Sequence, residues 1–408
     1  MPDAETTTTT RPRRYDIDAL RVFAFGLLIL YHVGMYYVAD WDFHIKSTHQ
    51  APWLQLPMLV SNQFRMPLLF LISGLAMNFV WNKYSPLVLA LRRVWRLLLP
   101  LIFGMAVVIV PQDYYEALAN HAIPRGFGHF FLTYLTGGTF PPMAYDSDPS
   151  PGWTWNHLWY LPYLLCYTLS LIPVAMVLDR FGRPVRRAFG RLRGGGLIII
   201  PILPLVVCGT LIYPHFPYIN HALFDDWYAH AMYFTFFFYG FLIGRDAALW
   251  HEILQLRNIT LPLAAGLFVA FYLIVIKTPD GSFAGQTQLG LIIVYLNRWV
   301  WIVAVLGWGY RLLNRPFAWL PYATEAVYPW YVLHQTILIA AAYELSQAGA
   351  GPVLEPILVI AATVIGCLVL HEFVIRRLPL LRVLFGLSAN PRQPRRPRVA
   401  EVRMDTSG

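Results

Sequence analysis

The sequence predicts an all-α polytopic membrane protein of about ten transmembrane helices, with the N- and C-termini cytoplasmic. Three observations carry that prediction. Of the 408 residues, 57% are hydrophobic and only 13% charged, about half the charged fraction of a soluble globular chain. The apolar residues gather into runs long enough to cross a bilayer. The positive residues, which give a net charge of +9, fall in short clusters between those runs. That pattern sets membrane orientation; it is not a face for nucleic acid, and the lipid bilayer is the partner that composition implies. Cys166, Cys208 and Cys367 all lie inside apolar runs, so no disulfide framework or metal-ligand spacing is visible. The first apolar run lacks a small-residue cleavage site and is expected to stay as the first span.

Taken in order, residues 1–14 read as a disordered basic arm, with Arg11, Arg13 and Arg14 setting it on the cytoplasmic side. Span 1 is about 17–38, followed by an aromatic, polar outer connection with Asp40, Trp41, Asp42, His44, Lys46 and His49. Span 2 runs from Trp53 to Trp81 and is interrupted by Asn62, Gln63 and Arg65. A basic inner loop holding Arg92, Arg93 and Arg96 leads into span 3, about 97–111. Residues 112–156, with Asp113, Glu116, Asp146 and Asp148, read as a long outer loop. Its length and aromatic content mark it as functional.

Span 4, about 157–178, opens with His157 and is followed by six arginines between Arg180 and Arg193, an inner loop. Spans 5 to 10 fall at about 196–213, 229–248, 259–276, 288–310, 322–344 and 353–374. Every strongly basic cluster then lands on the inner side. The chain reads as one transmembrane domain over 15–385, with a disordered Pro/Arg-rich tail over 386–408.

Ionisable groups inside spans mark candidate sites. Arg21 and His32 are eleven residues apart, about 16 Å of helix rise and within about 20° of one face. Span 1 thus carries a cation near one surface and a titratable base toward the other. By depth, His32 and His334 sit about two thirds of the way out, Arg65 lies in the outer half of span 2, and His157 stands at the outer mouth of span 4. A cavity there would solvate Arg65 and make His32 a candidate general base; the bland alternative is a polar cluster that holds helices together. At the inner face, Arg93 and Arg96 share a helix face beside Arg92 and at the depth of Arg21. They suit phosphate groups, although anchoring to the inner leaflet is the commoner use of such clusters. Ser73 and Gly74 offer a small-residue notch for close helix approach, with Ser73 a weaker nucleophile candidate. Glu325 is expected at a helix N-terminus, where acid is tolerated. His371-Glu372 lacks the second histidine of a zinc helix motif, and no metal site is expected.

With these residues in view, the chain resembles the acyltransferase 3 family of multi-span membrane acyltransferases over 15–385. Arg21 and His32 match its R-x10-H pair, Arg93 and Arg96 its RxxR, and Phe70–Gly74 its FLISG stretch. His157-Leu158-Trp159-Tyr160-Leu161 is similar to its HLWFL segment and Tyr331-Val332-Leu333-His334 to its YxLH. Tyr15–Arg21, Leu28–Met35 and Trp41–Lys46 are similar, more narrowly, to the branch that succinylates osmoregulated periplasmic glucans, with Ala19 where that branch has Trp.

The resemblance implies an inner-membrane O-acyltransferase with no permanently bound cofactor. It uses succinyl-CoA (or acetyl-CoA) as acyl donor on the cytoplasmic side and a periplasmic glucan hydroxyl as acceptor. Arg21, Arg92, Arg93 and Arg96 would hold the CoA phosphates. His32 would act as general base or would carry the acyl group as a nucleophile. Apart from the resemblance, we expect Arg65 to pair the free carboxylate of a succinyl group, and His157, Trp159, His334 and Ser73 are further substrate-side candidates. Trp153, Trp155 and Trp159 would stack on sugar faces or anchor at the interface. The alternatives are an O-acetyltransferase of lipopolysaccharide, exopolysaccharide or another surface glycan, and a transporter of a glycan or acyl carrier. The sequence leaves self-association open.

Overall fold

The computed structural model describes residues 13–138, 153–278 and 288–390. The arm before residue 13, Asp146 and Asp148, Asp280 and Gly281, and the tail beyond residue 390 lie outside the described residues. The described chain is helical, with no strand among its elements. In order these are α1 (Tyr15–Tyr37), α2 (Gln55–Trp81), α3 (Pro86–Phe103), α4 (Val110–Ala119), α5 (Phe127–Thr136), α6 (Tyr160–Phe181), α7 (Arg183–Gly190) and α8 (Gly194–Ile199). Then follow α9 (Ile202–Ile212), α10 (Trp227–Ile243), α11 (Ala247–Phe271), α12 (Gln288–Leu313), α13 (Leu320–Gln347), α14 (Gly351–Val369) and α15 (Pro379–Leu384).

Eight stretches among the described residues are long and apolar enough to cross a membrane: 15–37, 52–81, 86–119, 156–181, 194–212, 247–276, 288–313 and 351–375. The other two runs read as spans are α10, of 17 residues, and α13, of 28. They pack in the same bundle, α10 along α2 and α13 along α1 and α14. At the centre, α1 touches α2, α12 and α13.

The α2–α10 contact is close because two glycines face each other's backbone. A Cβ at Gly74 would overlap the carbonyl oxygen of Phe237, and one at Gly240 that of Leu71. The notch expected at Ser73-Gly74 is thus a true backbone approach, the usual currency of helix packing in lipid.

Several boundaries differ from the sequence reading. Arg92, Arg93 and Arg96 lie within α3, which starts at Pro86, a favourable first-turn position. Arginine is a good helix former, so the basic cluster extends the helix instead of ending it. On the far side a π turn (Gly104–Val108) carries the same rod into α4. Asp113 and Glu116 therefore stand on a helix, not in a loop, and Glu116 is buried. Of the six arginines, Arg183, Arg186 and Arg187 lie on α7, Arg180 lies in the last turn of α6, and Arg191 and Arg193 follow α7; span 5 divides into α8 and α9 at Pro201. Asn62, Gln63 and Arg65 do not interrupt α2, which runs through them and through Pro67. Glu325 is six residues into a helix beginning at Leu320; instead of an N-terminal dipole it meets Arg376 at 3.4 Å and Arg382 at 3.0 Å.

The outer connection after α1 is the largest departure. Lys46 Nζ donates to the carbonyls of Met35 (2.7 Å), Trp41 (2.9 Å) and Val38, satisfying the open carbonyl end of α1. The Ser47 and Ala51 amides bond Tyr36 and Tyr37 carbonyls at 3.0 and 2.8 Å. The connection so folds back on the helix and buries Phe43, His44, Ile45 and Ser47. At the other end, Arg14 grips Asp16 through two bonds of 2.9 and 2.7 Å and lies 3.7 Å over the Trp250 ring. We call the end of the bundle holding Arg21 and Arg93 the arginine face, and the end holding this connection the histidine face.

Candidate functional site

On the histidine face α1, α2, α12 and α13, the 38–51 connection and the turn before α6 surround a cavity of about 410 Å³. His32, Arg65, His157 and Trp159, singled out from three separate stretches, all line it, as do His44, His221 and Arg298. Among its described lining residues there is no carboxylate. A wall of two arginines and four histidines favours an anionic or hydroxyl-rich occupant.

The histidines form a chain whose hydrogen positions follow from their partners. His334 Nδ1 lies 2.7 Å from the Tyr331 carbonyl, which only accepts, so Nδ1 carries the hydrogen. His334 Nε2 is then the acceptor for His32 Nδ1, 2.8 Å away. His32 must donate from Nδ1, which leaves its Nε2 as the bare lone pair. His157 donates from Nε2 to the Val332 carbonyl at 3.1 Å, and its Nδ1 accepts from Gln112 Nε2 at 3.3 Å. The His32 and His334 rings stack at 5.0 Å. His334 is therefore a second histidine that orients the first, as a carboxylate orients histidine in a Ser-His-Asp site.

Arg65 is buried, with its guanidinium 3.4 Å over the Tyr31 ring. One nitrogen reaches Asn62 Oδ1 at 3.2 Å, while Nε and Nη1 have no partner among the described residues. Buried guanidinium N–H groups left unpaired are costly, and a carboxylate or carbonyl in the cavity would satisfy them. Trp159 stacks on His221 at 4.1 Å. Burial, with Arg65 nearby, pushes the His221 imidazole down to about 4, so it meets a ligand as a neutral ring. Trp155 Nε1 donates to the His221 carbonyl at 3.0 Å, whereas Trp153 is exposed.

The arginine face is built differently. Arg93 lies within electrostatic range of both Arg96 and Arg21, and the nearest carboxylate to Arg21 is Asp18 at 3.9 Å. Arg92 turns aside, with its guanidinium 4.2 Å over the Tyr84 ring. Ser73 is not brought to the histidines. Its Oγ hydrogen-bonds Tyr160 Oη at 2.7 Å, and Tyr160 lies in range of Arg21 and Arg93.

Between the two ends sits an aromatic layer. Phe25 stands one turn from Arg21 on α1 and packs on Tyr331 (5.3 Å) and Tyr160 (6.3 Å). Tyr331 Oη in turn donates to the His157 carbonyl at 2.8 Å. The layer touches the arginine set through Tyr160 and the histidine set through Tyr331.

Sequence reasoning overlooked His44, Glu116, Gln335, Asn156 and Arg298. Arg298 had an available signal, a cation in the middle of an apolar run. His44 lies in a stretch similar to the family branch, but nothing local shows that it turns inward.

Residues 14–372 match the acyltransferase domain family. The chain is 23% identical over 394 residues to glucans biosynthesis protein C of Shigella dysenteriae serotype 1, covering 92% of this chain and 94% of that protein. The glucans biosynthesis protein C of Escherichia coli (strain K12) gives the same identity and coverage. No solved structure matches.

Proposed function

Because the chain belongs to the acyltransferase domain family, we propose that it is a multi-pass inner-membrane enzyme moving a succinyl group from cytoplasmic succinyl-CoA to hydroxyls of periplasmic, osmoregulated glucans. The observation that carries this reading is the bare Nε2 lone pair of His32, fixed by His334 and lining a cavity with the unpaired N–H groups of Arg65. Ten crossings, with both termini and the arginine face cytoplasmic, complete the reading.

Arg21, Arg93 and Arg96 hold the CoA phosphates by charge. The pantetheine arm passes the aromatic layer and brings the thioester to His32. A glucan hydroxyl enters from the periplasm, and His32 Nε2 takes its proton as the oxygen attacks the acyl carbonyl carbon. The C–S bond then breaks, and the thiolate recovers that proton from His32. No covalent acyl-histidine is needed, since hydroxyl and thioester meet in one cavity. Arg65 pairs the free succinyl carboxylate, which an acetyl group lacks, and the relatives' name supports a glucan acceptor.

The test is the charge of periplasmic glucan in a deletion strain carrying wild type or His32→Ala at equal membrane levels. Restoration of anionic, succinylated glucan by wild type alone supports substrate and centre together. An acetylated surface polysaccharide with neutral periplasmic glucan would replace this reading by an O-acetyltransferase. Unchanged glucan chemistry with altered export would point to a transporter.

A further inference from the structure

His32 supplies a base, but acyl transfer also needs a donor for the negative charge that develops on the carbonyl oxygen. The hydrogen-bond chain behind the cavity identifies one. Thr336 Oγ1 donates to the Val108 carbonyl, so its oxygen accepts from Gln112 Nε2 at 2.7 Å. That orients Gln112, whose Oε1 accepts from Gln335 Nε2 at 3.2 Å. The second Gln335 hydrogen goes to Asn156 Oδ1, also at 3.2 Å. Gln335 Nε2 also lies 3.1 Å from His44 Nε2, and with its two hydrogens on Gln112 and Asn156 it leaves that ring nitrogen to carry a hydrogen of its own. In that arrangement His44 Nε2 donates to Asn156 Oδ1, at 3.1 Å. On the other side of the ring, Nδ1 is bonded to the buried carboxylate of Glu116. Both ring nitrogens thus face acceptors, the pattern of an imidazolium.

We propose that His44, held as an imidazolium by Glu116, is the electrophilic partner of His32 and stabilises the oxyanion of the acyl-transfer step through its Nε2–H. This rests on the acyltransferase reading above. When the hydroxyl oxygen bonds to the carbonyl carbon, its proton passes to His32 Nε2 and the carbonyl π pair moves onto oxygen. That oxygen replaces Asn156 Oδ1 as acceptor of the His44 Nε2 hydrogen. The intermediate collapses, the C–S pair leaves on sulfur, and the thiolate takes the proton from His32; His44 keeps its own throughout. Two histidines in one cavity therefore have opposite roles because their partners differ. His32 faces a neutral histidine, and His44 faces a carboxylate. Lys46, by folding the connection back on α1, delivers His44 to this position.

The groups facing His44 set the sign of its pH dependence. They are Glu116 and Asp113 from α4, His157 and Asn156 before α6, His32 on α1, and Gln335 on α13. Burial alone would lower the imidazole, but the hydrogen bond and charge of Glu116, helped by Asp113 and Asn156, raise it above its ordinary value. Activity that needs charged His44 is present at low pH on this limb and is lost as pH rises through that raised value.

The experiment measures thiol release from succinyl-CoA and from acetyl-CoA by the full-length protein in lipid nanodiscs, with a β-glucan oligosaccharide present, from pH 5 to 10. Glu116→Gln should lower kcat about 10²-fold with little change in KM and bring the alkaline fall to lower pH, with Glu116→Asp restoring part of both. His44→Gln retains an N–H donor that does not titrate, so its residual activity should lose the alkaline fall altogether. A merely structural His44–Glu116 pair would lower the yield of folded protein and leave that fall where it is. An unshifted fall in His44→Gln overturns the proposal, even where Glu116→Gln does not fold. Should thiol release proceed without acylated glucan, the acceptor assignment fails and the alkaline limb still decides His44. Inactive His32→Ala beside fully active His44→Gln would remove this inference alone.

Discussion

The two ends of the bundle treat charge in opposite ways. On the arginine face, Arg21, Arg93 and Arg96 repel one another at the end of flexible side chains, and Arg21 stays part exposed. On the histidine face, each ring nitrogen of His32, His44, His157 and His334 that is bonded has a partner that fixes which end bears hydrogen. One end suits capture, which asks for net charge at roughly the right place. The other suits reaction, which asks for a lone pair or a proton at one atom. The same chemical class of side chain, a nitrogen base, is left under-determined at one end and over-determined at the other.

That contrast is sharpest at His32. His32→Ala should reduce acyl transfer about 10³-fold with near-normal acyl-CoA binding, read from initial rates at matched protein levels; a loss below tenfold would place the reacting centre elsewhere. Next comes Arg65, whose charge-assisted bond to a carboxylate is worth about thirtyfold. Arg65→Leu should cost succinyl transfer that much more than acetyl transfer, and equal losses would remove the specificity role. On the arginine face, Arg93→Ala should raise KM for acyl-CoA about tenfold with kcat kept, and Arg93→Lys much less. The wild-type KM should itself climb with ionic strength. A kcat effect from Arg93→Lys as large as that of His32→Ala would erase the distinction between the two ends. The smallest effect belongs to Ser73, whose Oγ bonds Tyr160 and not a histidine among the described residues. Ser73→Ala should change turnover less than about fivefold, whereas a dead enzyme would revive Ser73 as a nucleophile.

Much of this was legible in the chain because depth along a helix is arithmetic. Arg21 and His32 on one face, with His334, Arg65 and His157 at matching depth, follow from 1.5 Å per residue and hydropathy. What escaped was held by contacts distant in sequence. The inward turn of residues 38–51 depends on one lysine reaching three carbonyls, and hydropathy reads only polar residues there. Glu116 was assigned to a loop because a carboxylate lowers hydropathy, yet its charge is matched by His44 across 72 residues. A hydropathy reading places Arg93 and Arg96 before their helix for the same reason. Polar residues mark the ends of spans in a hydropathy reading and mark the site in the folded protein, and the sequence does not say which applies.

The layer of Phe25, Tyr160 and Tyr331 has an electrical consequence. It separates the two ends with packed rings, and on the proposed reading a transmembrane voltage would fall across the path between them. With the arginine face cytoplasmic, as proposed, the CoA phosphates would stay on the negative side. A succinyl carboxylate would, on that reading, cross the path outward, and each unit charge gains about 2.3 kcal/mol per 100 mV. An acetyl group carries no charge and gains nothing. Membrane energisation would thus draw an anionic acyl group toward His32.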